Sequence, residues 1–275
     1  MQKTKKGGRF AGCLLASDID GTLVSAGRIP ERNVEAIRRF TQEGGLFALA
    51  TGRSIQSARR YAALAGVNCP SIVFNGAIGY DFAADKPLWR ESLPDGAKGI
   101  IPPIMERFPD IGVEVHSGKN LYVLNHTPDV DAHVVYEEIE IIDADFAQVE
   151  KEDWTKVLFA MGRPGRLAEL HAYCEPMHLT GCYFLKTADC YYELTCEGVS
   201  KGAALKRLAG LLDIAPARTF AIGDYYNDVE LIQAAGYSCF VETAPAELHK
   251  LADCTACSCE KGAVADFIDK LSQTI

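Results

Sequence analysis

Short apolar runs alternate along the chain with stretches whose apolar residues recur three or four apart, the pattern of buried parallel strands joined by amphipathic helices. The first run, Leu14–Ser17, leads into Asp18-Ile19-Asp20-Gly21-Thr22-Leu23. Pro30–Phe40 then carries Pro near its start and apolar residues at helical spacing, and Gly44-Gly45 stops it before a second run, Leu46–Ala50. Strand, helix and strand in so short a span predict a right-handed βαβ unit, so both strands end on the same edge of one sheet. Ser54–Leu64 predicts a helix, Ser71–Phe74 a third strand, and Ile78–Asp81 with Leu88–Glu91 a hairpin after the turn at Asn75-Gly76-Ala77.

From about residue 84 to 190 the organisation changes. Helices are predicted over Ile100–Phe108, Val130–Ile139 and Arg166–Tyr173, and strands over Ile111–His116, Leu121–Asn125, Val157–Met161, Leu179–Leu185 and Tyr191–Leu194. This is an α+β pattern on an antiparallel sheet, far longer than one crossover needs, and predicts an inserted second domain. The first pattern then resumes: Ser200 caps a helix with Lys201 in its first turn, the stretch Arg218–Asp228 holds another apolar strand ending in carboxylates, and a helix starts near Val229. A strand at Ser238–Val241 and helices at Pro245–Leu251 and Ala263–Leu271 complete the sheet.

Composition narrows the partners. Among 275 residues, 48% are hydrophobic and the net charge is −9, which argues against a nucleic-acid surface built from clustered Lys and Arg. No apolar run reaches the ~20 residues of a membrane span. The basic amino end, Met1–Arg9, reads as a solvated tail, because the apolar stretch after it contains Asp18 and Asp20, which no signal-peptide core would carry. The ten cysteines are irregularly spaced, which favours reduced thiols in a cytoplasmic protein. Cys254-x-x-Cys257-x-Cys259 lacks a second ligand pair at zinc spacing, so packed or surface thiols are the better reading.

Candidate chemistry gathers at strand ends. Asp18 and Asp20 would crowd the carboxyl end of the first strand, where open α/β sheets bind ligands, and two anions so close call for a cation or a raised pKa. At the end of the second strand, Thr51 can donate to a phosphoryl oxygen and Gly52 lets the backbone approach; the alternative is a strand-end turn leading into the Ser54 helix. Lys201 opposes the dipole of its helix, which is explained if its ammonium sits beside Asp18, and otherwise it is an exposed lysine. Asp224 and Asp228 flank Asn227 around a loop-to-helix turn. Two strands ending in acid with no His nearby make an all-oxygen set suited to Mg²⁺. Asn75 either faces a substrate or serves its turn. Trp89, Arg163, His178, Tyr183 and Lys186 are open as substrate contacts, and none is ranked as a site.

Asp18-Ile19-Asp20-Gly21-Thr22 resembles the first motif of the haloacid dehalogenase-like phosphatases. Thr51, Lys201 and Gly223-Asp224-x-x-Asn227-Asp228 resemble the second, third and fourth. The resemblance covers roughly residues 12–80 and 196–275, and the insertion resembles the cap of the Cof-like subfamily. It implies an α/β fold with a Rossmann-like three-layer α/β/α core and a parallel sheet (1–83 and 191–275), plus an inserted α+β cap domain (84–190). It also implies that Asp18 is the nucleophile and takes up the phosphoryl group as an aspartyl-phosphate, while Asp20 is general acid and base. Mg²⁺ would be held by the Asp18 carboxylate, the Asp20 backbone carbonyl and Asp224, with Asp228 in support. Thr51, Gly52, Lys201, Asn227 and the N–H of Ile19 would bind the phosphoryl oxygens. The chain departs from the family where Val241–Ala244 and Ser258–Gly262 replace a glycine-rich stretch and an Asn-containing turn. The expected substrate is a small phosphorylated metabolite such as a sugar phosphate, and the expected state a monomer or homodimer. A phosphosugar mutase is the nearest rival, and a non-catalytic phosphometabolite-binding protein the rival of another class. A nucleotide-binding oxidoreductase is disfavoured, because no Gly-x-Gly-x-x-Gly follows the first strand.

Overall fold

The computed structural model describes residues 7–163, 165–177, 179–187 and 189–274; residues 1–6 of the basic amino end, and His178, lie outside the described residues. In chain order the elements begin β1 (Leu14–Ser17), α1 (Glu31–Gln42), β2 (Leu46–Leu49), α2 (Ile55–Ala65), β3 (Ser71–Val73), β4 (Ile78–Asp81) and β5 (Lys86–Arg90). They continue α3 (Ile101–Arg107), β6 (Gly112–Ser117), β7 (Asn120–Asn125), α4 (Pro128–Glu137), β8 (Ile141–Asp143), α5 (Phe146–Val149), β9 (Lys156–Ala160), α6 (Arg166–Cys174), β10 (Cys182–Lys186) and β11 (Tyr191–Cys196). The last are α7 (Lys201–Leu211), β12 (Thr219–Gly223), α8 (Val229–Ala234), β13 (Tyr237–Val241), β14 (Cys254–Ala256) and α9 (Ala263–Thr274).

The first of two compact units holds the described residues up to Arg53, Ala58–Trp89 and those from Ser200 onward. Its main sheet has the order β14-β13-β12-β1-β2, parallel throughout. Every residue of β1 is buried, which is why its sequence is a continuous run and not an alternation. Ser17 pairs with Leu49 on one side and Ile222 on the other. The chain thus leaves β1 in one direction for β2 and returns on the opposite flank as β12, opening a crevice at the carboxyl ends of the three strands. One face of α1 is buried through Asn33, Ala36, Ile37 and Phe40. Asn33 is buried at little cost because it is satisfied at both ends, donating to Leu23 O (3.3 Å) and accepting from Ala265 N (2.9 Å). A smaller sheet, β3-β4-β5, joins the main one through a bridge between Ala50 and Ile72.

The second unit contains Arg90–Val199 with the opening turn of α2, Ser54–Ser57. Its six-stranded sheet, β10-β11-β9-β6-β7-β8, is antiparallel except for the β7–β8 pair. Val113, Val115, Val157 and Phe159 pack with Ile101 and Ile104 of α3 and Leu167 and Leu170 of α6. Leu158 and Ala160, alternating with those strand residues, pack instead with Val130 of α4.

Several expectations are revised. The boundaries expected at residues 84 and 190 fall at Arg90 and after Val199. Trp89 stays with the first unit: its ring covers Gly79, where a Cβ would come within 2.2 Å of it, and its Nε1 donates to Gly76 O (3.1 Å). β11 pairs with both β9 and β10, so it belongs wholly to the second sheet. The helix expected at Pro245–Leu251 is reduced to tight turns ending in a single 3₁₀ turn at His249–Leu251, with Leu248 N donating to Pro245 O and Leu251 N to Leu248 O (both 2.9 Å). These turns carry the chain directly to β14, a strand that the cysteine cluster concealed. The strand expected over Leu179–Leu185 is Cys182–Lys186.

Candidate active site

Parallel pairing brings the carboxyl ends of β1, β2 and β12 to one edge, and with them Asp18, Thr51 and Asp224. After Asp18 the backbone turns tightly. Leu23 N and Val24 N both donate to Ile19 O (2.9 and 2.8 Å), and Gly21 takes φ +75. A Cβ on Gly21 would fall 2.2 Å from Asp224 Oδ2, so glycine is required both by conformation and by the approach of the neighbouring loop. Thr22 fastens that loop by donating from Oγ1 to Asp224 Oδ1 (3.1 Å).

Lys201 lies at the start of α7, behind Ser200, whose Oγ accepts from Ala203 N (3.1 Å). Its side chain is fully buried, and Nζ donates to Asp18 Oδ1 (2.7 Å) and Asp228 Oδ1 (2.6 Å). The unfavourable position against the helix dipole is outweighed by two buried carboxylates, which raise the lysine pKa despite its burial. Asp228 is itself fully buried, and its Oδ2 accepts from the N–H groups of Asp224 (3.0 Å) and Tyr225 (3.3 Å). This carboxylate shapes the loop and fixes the ammonium.

Asp18, Asp224 and Asp228 each offer a carboxylate oxygen within 4.8 Å of the others, the one such metal-capable group among the described residues. Burial, and then the repulsion of Asp228, push Asp224 up to about 6. Burial also holds Asp18 well above the usual carboxylate range, partly opposed by Lys201 and reinforced by Asp228 and Asp224. Three acids against one lysine leave a negative, all-oxygen cluster whose repulsion a hard divalent cation would relieve, so the residues fit such an ion. The Cys254, Cys257 and Cys259 group is no part of it.

Thr51 is buried, and its Oγ1 accepts from Arg53 N (3.1 Å), which leaves the hydroxyl proton to be donated elsewhere. Gly52 is closely approached by Asn75, whose Oδ1 would stand 3.0 Å from a Cβ there. Asn75 has φ +53, so it serves the turn, while its side chain lies against the Thr51-Gly52 loop. Asn227 sits exposed on the single turn Tyr226–Asp228. Outside this cluster, Arg163 is exposed and 3.8 Å from Asp110, Lys186 is paired with Asp189 (2.9 Å), and Tyr183 is exposed.

One residue of the site carried no expectation from sequence. Arg53 holds Asp20 in a two-pronged grip, Nε to Oδ2 and Nη2 to Oδ1, both 2.7 Å. The guanidinium is buried, with Tyr61 beneath it at 5.2 Å, while the Asp20 side chain remains 45% exposed. The second carboxylate is thus aimed without being closed off. An arginine directly after Thr51-Gly52 was the signal available in the sequence.

One α/β sheet edge thus carries a lysine-held carboxylate, a cation-ready acid cluster and a separately oriented second acid. The model of the haloacid dehalogenase-like hydrolases matches residues 15–268, and the chain belongs to that family. The chain is similar to members of it that are named phosphatases. It is 25% identical over 271 residues to the 5-amino-6-(5-phospho-D-ribitylamino)uracil phosphatase YitU of Bacillus subtilis, an alignment covering 93% of this chain and 96% of the relative. A haloacid dehalogenase-like hydrolase from Bacteroides thetaiotaomicron shares the fold with a TM-score of 0.87 at 21% identity, covering 94% of this chain and 99% of the other. A subclass IIB sugar phosphatase of the superfamily shares it with a TM-score of 0.79 at 17% identity, covering 94% and 98%.

Proposed function

We propose that the protein hydrolyses small phosphate monoesters, with Asp18 as nucleophile and Asp20 as general acid and base. The observation that carries this reading is the division of labour between the two carboxylates. Asp18 is buried with one oxygen held by Lys201, while Asp20, two residues on, is gripped by Arg53 at a partly exposed position. With Lys201 on Oδ1, Asp18 Oδ2 attacks phosphorus, forming the O–P bond of an aspartyl-phosphate as the ester O–P bond breaks. Asp20, protonated on an oxygen that has left the Arg53 fork, gives that proton to the departing alkoxide, then takes one from the water that opens the acyl-phosphate. Thr51 Oγ1, the Ile19 N–H, Asn227 and the Lys201 ammonium bind the phosphoryl oxygens, and Gly52 gives them room. Asp18, the Asp20 carbonyl and Asp224, with Asp228 behind them, would hold Mg²⁺, which supplies fixed positive charge to the phosphoryl group when bound.

Phosphate-monoester hydrolysis demands accelerations approaching ~10²¹, of which one general acid provides ~10²–10⁴. Lysine, nucleophile, cation and acid must therefore act in concert. The inserted unit is the element proposed to select the leaving group. The relative from Bacillus subtilis is named for a phosphorylated sugar-alcohol derivative, which supports a small phosphometabolite as substrate. All ten cysteines are free, which supports a reducing, cytoplasmic setting. The test is phosphate release from a panel of sugar phosphates and a generic aryl phosphate, with Mg²⁺ and with chelator. Release that requires Mg²⁺ is expected; a phosphorylated sugar product without free phosphate would turn the assignment to a mutase.

A further inference from the structure

At the edge of the main sheet, β13 and β14 run parallel and pair Cys239 directly with Cys254. Residues in register on adjacent strands point to the same face at about 4.8 Å separation. That spacing lies inside the Cα span of ~4.4–6.8 Å that a disulfide bridges. The face is the one turned toward α9, since Tyr237, two residues before Cys239, stacks on Phe267, whereas the intervening-parity residue Phe240 joins the opposite core with Leu14 and Ala16.

The two thiols differ in ways that suit successive steps. Cys239 is completely buried, while Cys254 is partly exposed. Cys239 Sγ donates to Phe240 O and Cys254 Sγ donates to Ser238 O, both at 3.6 Å. Lys270 of α9 stands nearby, anchored by its bonds to Thr255 O (2.9 Å) and Asp266 Oδ2 (2.6 Å). The neighbouring Cys239, and then Tyr237 and the Lys270 ammonium, lower the Cys254 pKa against burial, which favours the thiolate. Burial pushes Cys13, Cys69, Cys174 and Cys259 the other way.

We propose that Cys254 and Cys239 form a redox-active pair that a hydroperoxide oxidises to a reversible disulfide. The Cys254 thiolate attacks the terminal oxygen of the peroxide, the O–O bond breaks, and the departing oxygen takes up a proton, leaving Cys254 as the sulfenic acid. The Cys239 sulfur then attacks the Cys254 sulfur, the S–O bond breaks, and hydroxide leaves with the Cys239 proton as water. In sum, two thiols and one hydrogen peroxide give one disulfide and two waters. A small dithiol reverses the bridge. This chemistry is independent of phosphate-ester hydrolysis and uses no residue of that site.

The test is made on the full-length protein, reduced and then treated with hydrogen peroxide. Remaining thiols are alkylated and the chain is digested with trypsin without reduction. Cleavage after Lys250 separates the two cysteines onto different peptides. The expected result is a linked pair, lighter by two hydrogens than the separate peptides, that disappears on prior treatment with dithiothreitol, with fragmentation placing the link at Cys239 and Cys254. In Cys239→Ser, Cys254 stops at the sulfenic acid and is trapped by dimedone. Both cysteines still alkylated after peroxide, or Cys254 linked to Cys257, would overturn the proposal. The wild-type map decides the question even where the variant does not fold.

Discussion

Removing the Arg53 guanidinium separates the aiming of the second carboxylate from its chemistry. The two 2.7 Å contacts to Asp20 are charge-assisted, each of a kind that contributes ~1.5–3 kcal/mol when shielded. Water competes for the Asp20 side chain, which is 45% exposed, so the fork as a whole is discounted to about 1.5–3 kcal/mol. If that energy serves to hold the acid in place, Arg53→Ala slows kcat by ~10–150-fold. The loss cannot exceed the ~10²–10⁴ that general acid catalysis supplies. Arg53→Lys keeps the charge but not the fork and falls between. The decisive assay is a double-mutant cycle on kcat with an aryl phosphate. Once Asp20 is Asn, Arg53→Ala should cost less than ~3-fold further, because partners in one unit are not additive. Equal losses in both backgrounds would refute the positioning role and place Arg53 directly on the substrate.

Three further outcomes follow from the packing. Lys201→Met leaves the buried Asp18 and Asp228 carboxylates uncompensated, so it should abolish phosphate release and cost about 3–5 kcal/mol, a Tm fall on the order of 10 °C by calorimetry; an unchanged Tm would contradict the pairing. Gly21→Ala forces a Cβ against Asp224 at φ +75, so it should displace that acid and weaken Mg²⁺ binding by calorimetric titration, while costing stability only ~1–2 kcal/mol. In the second unit, Glu114 is fully buried and held by His133 Nδ1 (2.9 Å) with His116 alongside, and these bonds overcome the upward push of burial to keep its pKa at about 2. A depressed carboxyl stabilises the fold above its unfolded value near 4.5 and loses that contribution as pH falls toward about 2. The stability gap between wild type and Glu114→Gln, measured by urea titration, should therefore be full at pH 6 and shrink steadily below about pH 4.5; a gap that widens in acid would reverse the sign.

The strand ends of the first unit were legible because β1, β2 and β12 are buried on both faces and so read as continuous apolar runs, each closing on its polar residue. Lys201 was legible through its misfit with the helix dipole. Arg53 was not, because its partner lies on a different strand end and only the parallel register of β1 and β2 brings the two within reach. The first boundary was displaced because Trp89 is tied to the first unit by packing over Gly79 and by its bond to Gly76 O. β8 and β14 are only three residues each, too short to show a period, and two of the three β8 residues are exposed.

Asp18 as the nucleophile is tested most directly by a single-turnover reaction with a radiolabelled phosphate ester and Mg²⁺, quenched in acid within the first turnover. Label should appear on the protein before it appears as free phosphate, be released by hydroxylamine as an acyl-phosphate is, and map to the peptide containing Asp18, with none in Asp18→Asn. Turnover without labelled protein, or an Asp18→Asn variant that still releases phosphate at a normal rate, would contradict the covalent mechanism.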